Sequence, residues 1–184
     1  MRLAAVSTTP LGRAACAVVG CLVVVACLGV APSAWAKDAS VRSADLQAIL
    51  GEIRRPGARA VLVNVWASWC DPCRAEMPRL LRFFRRHGEA GLRLVLVSAD
   101  DEADRDKAIR FLASQGVDFP TWIKKGDDMT FIDALDPQWS GALPASFLFD
   151  GKGRLVRRWY GEVTDDALKG AWDRLVPRPK GRTP

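Results

Sequence analysis

Cys70 and Cys73 are the residues of this chain best suited to chemistry, because they form a Cys-x-x-Cys motif directly after a hydrophobic run. A thiol attacks a disulfide only as its thiolate, so it needs a lowered pKa and access to solvent. We predict that Cys70 lies at a helix N-terminus, where free backbone N–H groups and the helix dipole stabilise the anion. Cys73 then faces the same side of the first turn, placed to resolve a mixed disulfide.

Two other uses of this pair stay open. The first is a permanent structural disulfide between Cys70 and Cys73, which an oxidising compartment would favour. The other cysteines, Cys16, Cys21 and Cys27, lie in an N-terminal apolar stretch and offer no further disulfides to form a structural framework. A zinc site needs four ligands, and His87 is the only histidine of the chain. Thiol–disulfide exchange is therefore the leading interpretation, and we expect no metal and no cofactor.

The residues around the pair predict the elements that position it. Residues 60–66 form a continuous apolar run, typical of a central strand covered on both faces. Pro72 fits the first turn of the following helix, which we expect to end at His87-Gly88 with a kink at Pro78. Residues 92–97 predict a second buried strand.

The remaining elements complete an α/β domain. An acidic helix start at residues 100–104 follows the second strand, so strand, helix, strand and helix predict a parallel sheet with helices on both faces. Before the first strand, we expect Ser43 to cap a short amphipathic helix. The rest of the chain predicts a short strand (119–124), a short helix (129–135), a hairpin (145–149 and 155–160) and a last helix capped by Thr164.

The N-terminal segment predicts that the protein is exported from the cytoplasm. Arg2 and Arg13 precede an uncharged stretch that closes with Ala-Trp-Ala at residues 34–36, as in a cleaved signal peptide. Lipid attachment at Cys27, after a sequence that resembles a lipobox, and an uncleaved membrane anchor also stay open. Each form places the following chain outside the cytoplasm.

The length and the charge distribution of the chain indicate its domain organisation and its partners. We expect residues 1–36 to be the signal or anchor, 37–176 one domain and 177–184 a disordered basic tail. The formal net charge is +6, of which residues 1–36 carry two positive charges. The remaining charge is spread over helices and tail without an aromatic and basic strip, so we expect no nucleic-acid partner.

Two stretches of the chain carry a family resemblance. Residues 66–73 read Trp-Ala-Ser-Trp-Cys-Asp-Pro-Cys, with Glu-Met-Pro at 76–78, and residues 141–150 read Gly-Ala-Leu-Pro-Ala-Ser-Phe-Leu-Phe-Asp. Together they resemble the TlpA, ResA and DsbE group, the membrane-facing thioredoxins of bacteria, over about residues 59–176. The resemblance implies a thioredoxin-like α/β fold with a central mixed sheet. It also implies that residues 100–142 are an insertion before a cis-proline loop.

The resemblance implies roles for single residues. Glu76 resembles the family's active-site glutamate, which would tune the thiol pKa values and exchange protons with Cys73, although an ordinary charged residue of the second helical turn stays open. Plain thioredoxins carry a buried Asp six residues before the first cysteine, where this chain has Asn64. The implied substrate-binding residues are Trp69, Asp71, Pro72, Leu143 and Pro144, with a cis Leu143–Pro144 bond.

We therefore expect an extracytoplasmic thiol–disulfide oxidoreductase that reduces protein disulfides, with apocytochrome c as a suggested substrate class. A membrane thiol donor would restore the dithiol. A non-catalytic module that binds a peptide or copper, and a disulfide oxidase, are the alternatives. One departure from the family is that many members begin with a β-hairpin, whereas this chain has the short helix.

Overall fold

The described part of this chain is residues 40–177 of a computed structural model. The predictions made for residues 1–36, including lipid attachment at Cys27, and for the tail at 178–184 lie outside these residues. Within the described part, no helix has both the length and the apolar character needed to cross a membrane.

The described part contains six strands and five helices, which alternate except that β5 is followed directly by β6. The strands are β1 (Val41–Ala44), β2 (Ala60–Trp66), β3 (Leu92–Ser98), β4 (Thr121–Lys124), β5 (Ala145–Asp150) and β6 (Leu155–Tyr160). The helices are α1 (Leu46–Arg54), α2 (Asp71–His87), α3 (Arg105–Ser114), α4 (Asp128–Leu135) and α5 (Asp165–Leu175), with a 3-10 turn at Glu102–Asp104 before α3. The predicted elements are confirmed to within a few residues.

The cap predicted for the first helix is wrong. Ser43 lies in β1, and Asp45 caps α1 by accepting a hydrogen bond from Ala48 N at 2.8 Å. β1 was missed because its stability depends on a distant partner: Val41 pairs with Thr121. A four-residue segment carries no periodicity that could reveal such pairing.

The strands form one mixed sheet in the order β1-β4-β3-β2-β5-β6. Neighbours from β1 to β2 are parallel, whereas β5 runs antiparallel to β2 and β6 antiparallel to β5. The segment predicted as an insertion contains α3, β4 and α4, and β4 lies between β1 and β3. Part of that segment is therefore built into the sheet.

Alternation along β2 divides the core between the two faces of the sheet. Leu62 and Trp66 point into the cluster that includes Cys73 and Met77 of α2, and the odd-numbered valines point into the opposite cluster. Since strand side chains alternate with a period of two, Asn64 belongs to the α2 side. The strand thus delivers one polar side chain to the apolar surface beneath α2.

Candidate active site

The two cysteines begin α2 and are joined as a disulfide. Cys70 is the N-cap, and its Sγ accepts a hydrogen bond from Cys73 N at 3.3 Å. Cys70 is 5% exposed and Cys73 is completely buried, so Cys70 is the sulfur nearer to solvent, though less open than predicted. Pro72 lies in the first turn as expected, and the neighbouring Trp69 is 63% exposed.

A buried carboxylate fixes the loop before Cys70. Asp100, just beyond β3, accepts hydrogen bonds from Ser68 N at 2.9 Å, Ser68 Oγ at 2.7 Å and Ser98 Oγ at 2.5 Å. Sequence reasoning missed this role, since it assigned residue 100 to an acidic helix start. The usable signal was position: the carboxyl ends of parallel β2 and β3 meet at one edge of the sheet.

Glu76 lies on the buried face of α2, and its side chain is completely buried. Its Oε1 accepts a hydrogen bond from Asn64 Nδ2 at 2.8 Å, and its Oε2 accepts one from Val163 N at 3.0 Å. Asn64 Nδ2 also donates to Ser146 Oγ at 3.0 Å. Both carboxyl oxygens of Glu76 are thus paired within the protein rather than hydrated.

Burial raises the pKa of Glu76 above its ordinary value, because the ionised form loses hydration. The hydrogen bonds from Val163 and Asn64 oppose that shift, the negative charge of Glu162 adds to it, and the positive charge of Arg79 opposes it. Glu76 follows Cys73 by three residues on the buried face of α2. A carboxyl group that holds a proton at higher pH than usual thus lies one helical turn from the buried cysteine.

The second half of the site is the loop before β5. The Leu143–Pro144 bond is cis, as the resemblance implied. Pro144 O accepts a hydrogen bond from Gly161 N at 2.8 Å, and Ala142 O accepts one from Trp139 Nε1 at 2.8 Å. These contacts fix the backbone on both sides of Leu143.

Another buried carboxylate, Asp136, supports this loop from the C-cap position of α4. It accepts hydrogen bonds from Tyr160 Oη at 2.6 Å, from Gln138 N at 3.0 Å and from the Arg158 guanidinium. Burial alone would raise its pKa, but those bonds outweigh burial and hold the pKa of Asp136 below its ordinary value. Sequence reasoning did not find Asp136, because its partners on β6 lie more than twenty residues away.

A groove of about 600 Å³ opens beside the cysteines. Four of the five predicted substrate-binding residues line it together with Cys70; they are Trp69, Asp71, Pro72 and Leu143. Pro144 is not among the lining residues. Phe131, Ile132 and Trp139 also line the groove, so it presents apolar surface next to the more exposed sulfur.

The arrangement is suited to thiol–disulfide exchange on an extended peptide. A cysteine at a helix N-terminus supplies the thiolate, a buried cysteine lies behind it, and an apolar groove opens beside the first of them. Within residues 40–177, no group of three or more His, Cys, Asp or Glu side chains is arranged to hold a metal ion.

Comparison with known proteins agrees with this geometry. The AhpC/TSA family model matches residues 30–158. A thiol-disulfide oxidoreductase ResA from Bacillus thuringiensis (strain Al Hakam) is 31% identical over 134 residues, which cover 72% of this chain and 73% of that protein.

Two solved structures show the same fold. A thioredoxin-related protein from Neisseria meningitidis serogroup B is 28% identical with a TM-score of 0.55, covering 64% of this chain and 85% of its own. A secreted thiol-disulfide isomerase from Corynebacterium glutamicum is 27% identical with a TM-score of 0.54, covering 65% and 70%. Similarity in sequence and in fold thus extends over most of the described domain.

Proposed function

Since the chain belongs to the AhpC/TSA family and is a thiol–disulfide oxidoreductase with a thioredoxin-like fold, we propose that it reduces disulfides in proteins outside the cytoplasm. The observation that carries the proposal is the unequal placement of the two sulfurs. Cys70 caps α2 beside the groove, and Cys73 is completely buried behind it. That asymmetry suits one attacking thiol and one resolving thiol.

The reaction proceeds in two exchanges. The Cys70 thiolate attacks a substrate disulfide, so that a Cys70–substrate disulfide forms and one substrate thiolate leaves and takes a proton. The Cys73 thiolate then attacks Cys70 Sγ, forming the Cys70–Cys73 disulfide and releasing the second substrate thiolate. Two electrons pass from the dithiol to the substrate.

Glu76 serves as the proton partner of Cys73. Cys73 must lose its proton before the second exchange, and it is too buried to give that proton directly to water. The Glu76 carboxylate, one helical turn away on the same face, accepts the proton and returns it when the dithiol is restored. Its raised pKa supports this role, because it brings the carboxyl closer to the pKa of a thiol.

The groove and the cis-proline loop hold the substrate. An extended peptide lies along the backbone of Leu143 and against Pro144, with its disulfide at Cys70 and apolar neighbours against Trp69. Asp71 and Pro72, at the start of α2, form the rim of the groove beside the attacking sulfur.

The compartment and the partners follow from the predicted export signal. The domain then lies in the periplasm or on the outer face of the membrane, where it meets disulfide-containing proteins. Its own disulfide must be reduced again after each reaction, so it needs a membrane thiol donor. The resemblance in sequence supports apocytochrome c as one substrate class.

Replacing each cysteine tests the proposed roles. In insulin-disulfide reduction, Cys70→Ser should abolish activity, and Cys73→Ser should accumulate a mixed disulfide between Cys70 and its substrate. Cys27→Ser is the matched control and should keep full activity in this assay. Full activity in the Cys70 variant would falsify the proposal.

The reduction potential tests the direction of electron flow. A value near that of thioredoxin, about −270 mV, fits a reductant, whereas a value near about −120 mV fits an oxidase. Equilibration of the full chain with glutathione buffers gives this value. A potential at the oxidising end would retain the exchange chemistry and reverse its direction.

A further inference from the structure

Asn64 has an unusual hydrogen-bond arrangement for a completely buried side chain. Both hydrogens of its Nδ2 are used, one by Glu76 Oε1 at 2.8 Å and one by Ser146 Oγ at 3.0 Å. Its Oδ1 is buried and has no hydrogen-bond partner among the described residues. Buried polar atoms are normally paired, so this oxygen needs a physical explanation.

Rotating the amide by half a turn does not remove the unpaired atom. The amide oxygen and nitrogen are nearly equal in size, so both orientations fit the same space. In either orientation one of the two atoms lies where no partner exists. The unpaired position favours the oxygen, because an NH2 group there leaves two donors unpaired, so the amide rotates only where its hydrogen bonds with Glu76 and Ser146 outweigh that cost.

The two protonation states of Glu76 favour opposite orientations. An ionised carboxylate only accepts, so it favours Asn64 Nδ2 facing Oε1, as in the structure. A protonated carboxyl carries an O–H on Oε1, which can donate only if Asn64 Oδ1 faces it. The Ser146 hydroxyl either accepts or donates, so it fits both orientations. Val163 N continues to donate to Oε2 in each.

We propose that Asn64 is a positioning residue whose amide rotates as Glu76 gains and loses a proton, so that one side chain holds the carboxyl group in both states. The proposal rests on the proposed role of Glu76 as the proton partner of Cys73. The charged and titratable groups around Glu76 are Arg79 and Cys73 on its own helix and Glu162 from the loop before α5. Ser146 and Asn64, on the sheet side, carry no charge and adapt without changing the charge of the site.

The composition of the chain makes a selective experiment available. Asn64 is the only asparagine, so the reduced full chain labelled with 15N-asparagine gives one side-chain NH2 signal. Above the pKa of Glu76, a nuclear Overhauser effect should connect these protons to the Ser146 Hβ protons. Below that pKa the effect should lose most of its intensity, since the NH2 group has turned away. An effect of constant intensity through the titration of the Glu76 carboxyl carbon overturns the proposal.

Glu76→Gln provides the matched control. Its side-chain oxygen can accept from Val163 N only if its NH2 group faces Asn64, which then must present Oδ1. The low-pH pattern of the wild-type protein should therefore appear at every pH, and a persistent Ser146 contact in this variant would count against the rotation. Neither measurement uses disulfide exchange, so a fixed amide in an active enzyme refutes the rotation alone, and an inactive dithiol refutes the proposed function alone.

Discussion

Glu76 and Asp136 are two buried carboxyl groups, one beneath each half of the site, yet their pKa values move in opposite directions. They are 0% and 2% exposed, so loss of hydration alone would raise both pKa values. The pKa of Glu76 is raised, and that of Asp136 is lowered. Burial therefore does not decide which carboxyl group exchanges protons.

The difference lies in the hydrogen-bond donors. Glu76 receives two neutral donors, the Asn64 amide and Val163 N. Arg79, the cation whose charge acts on Glu76, donates instead to Val163 O at 2.7 Å. Asp136 receives the Arg158 guanidinium, the Tyr160 hydroxyl and Gln138 N. A cation among the donors stabilises the ionised form in the way neutral donors cannot.

The two groups accordingly serve different purposes. Asp136 stays ionised through the neutral range and fixes the corner between α4 and the cis-proline loop. Glu76 is held by donors that permit either protonation state, next to a thiol that must lose a proton. Five substitutions test this comparison.

Asn64→Asp should have the largest effect, because it places a second carboxyl group 2.8 Å from Glu76 with no added cation. Two carboxyl groups sharing one site cannot both ionise cheaply, so one of their pKa values rises strongly. We expect a loss of about 3 kcal/mol in the free energy of unfolding at pH 8 and a much smaller loss at pH 5. Urea unfolding at both pH values measures it. Equal losses at the two pH values would mean that the carboxyl pair is not the cause.

Asp136→Ala should have the second-largest effect on stability, because it leaves Tyr160 Oη and Gln138 N without their hydrogen-bond acceptor. The expected loss is about 2 kcal/mol in the free energy of unfolding, and Asp136→Asn should recover part of it by keeping an acceptor for Gln138 N. Since the loop positions the peptide, KM for insulin should rise several-fold in the alanine variant. The rate with a small disulfide such as oxidised glutathione should change little; a matching fall with both substrates would contradict a positioning role.

These two carboxyl groups also show how much of the fold and of the site could be predicted from the sequence. Strand β2 and the helix after Cys70 were predictable, because the pattern of apolar residues within each of these segments is enough to identify it. The burial of Glu76 had a weak local signal, since Glu76 falls on the apolar stripe of α2 between Cys73 and Met77. A charged residue on such a stripe is readily assigned to a helix surface instead.

The donor sets could not be predicted, because each comes from distant parts of the chain. Asn64 reaches Ser146 across 82 positions, and Glu76 reaches Val163 across 87. Such contacts depend on sheet order, and the antiparallel pairing of β2 with β5 is what places Asn64 opposite Ser146. Patterns within a single element contain no information about that pairing.

Glu76→Gln should alter how stability depends on pH. The folded pKa of Glu76 lies above the unfolded value near 4.5, so the folded state binds more protons in that window. The stabilising contribution is therefore complete below pH 4.5 and is lost as pH rises through the folded pKa. The loss is about 1.4 kcal/mol for each pH unit that separates the folded pKa from the unfolded one. The difference in unfolding free energy between wild type and variant should change over that window only. A pH-independent difference would show that Glu76 titrates as in the unfolded chain.

Removing one hydroxyl from each network gives the smallest effects and the sharpest contrast. Tyr160→Phe deletes a donor to an ionised carboxylate, so it should cost about 1 kcal/mol at pH 6, discounted because Tyr160 is 45% exposed. The cost should fall as pH drops through the folded pKa of Asp136, because a hydrogen bond to a protonated carboxyl group is weaker than one to a carboxylate. Ser146→Ala removes one hydrogen bond of Asn64 in either orientation of the amide, so its similar cost should be the same at every pH. Parallel unfolding curves from pH 3 to pH 8 measure both variants. A pH-dependent cost in the serine variant would mean that Ser146 favours one protonation state of Glu76, which the symmetric role of its hydroxyl does not allow.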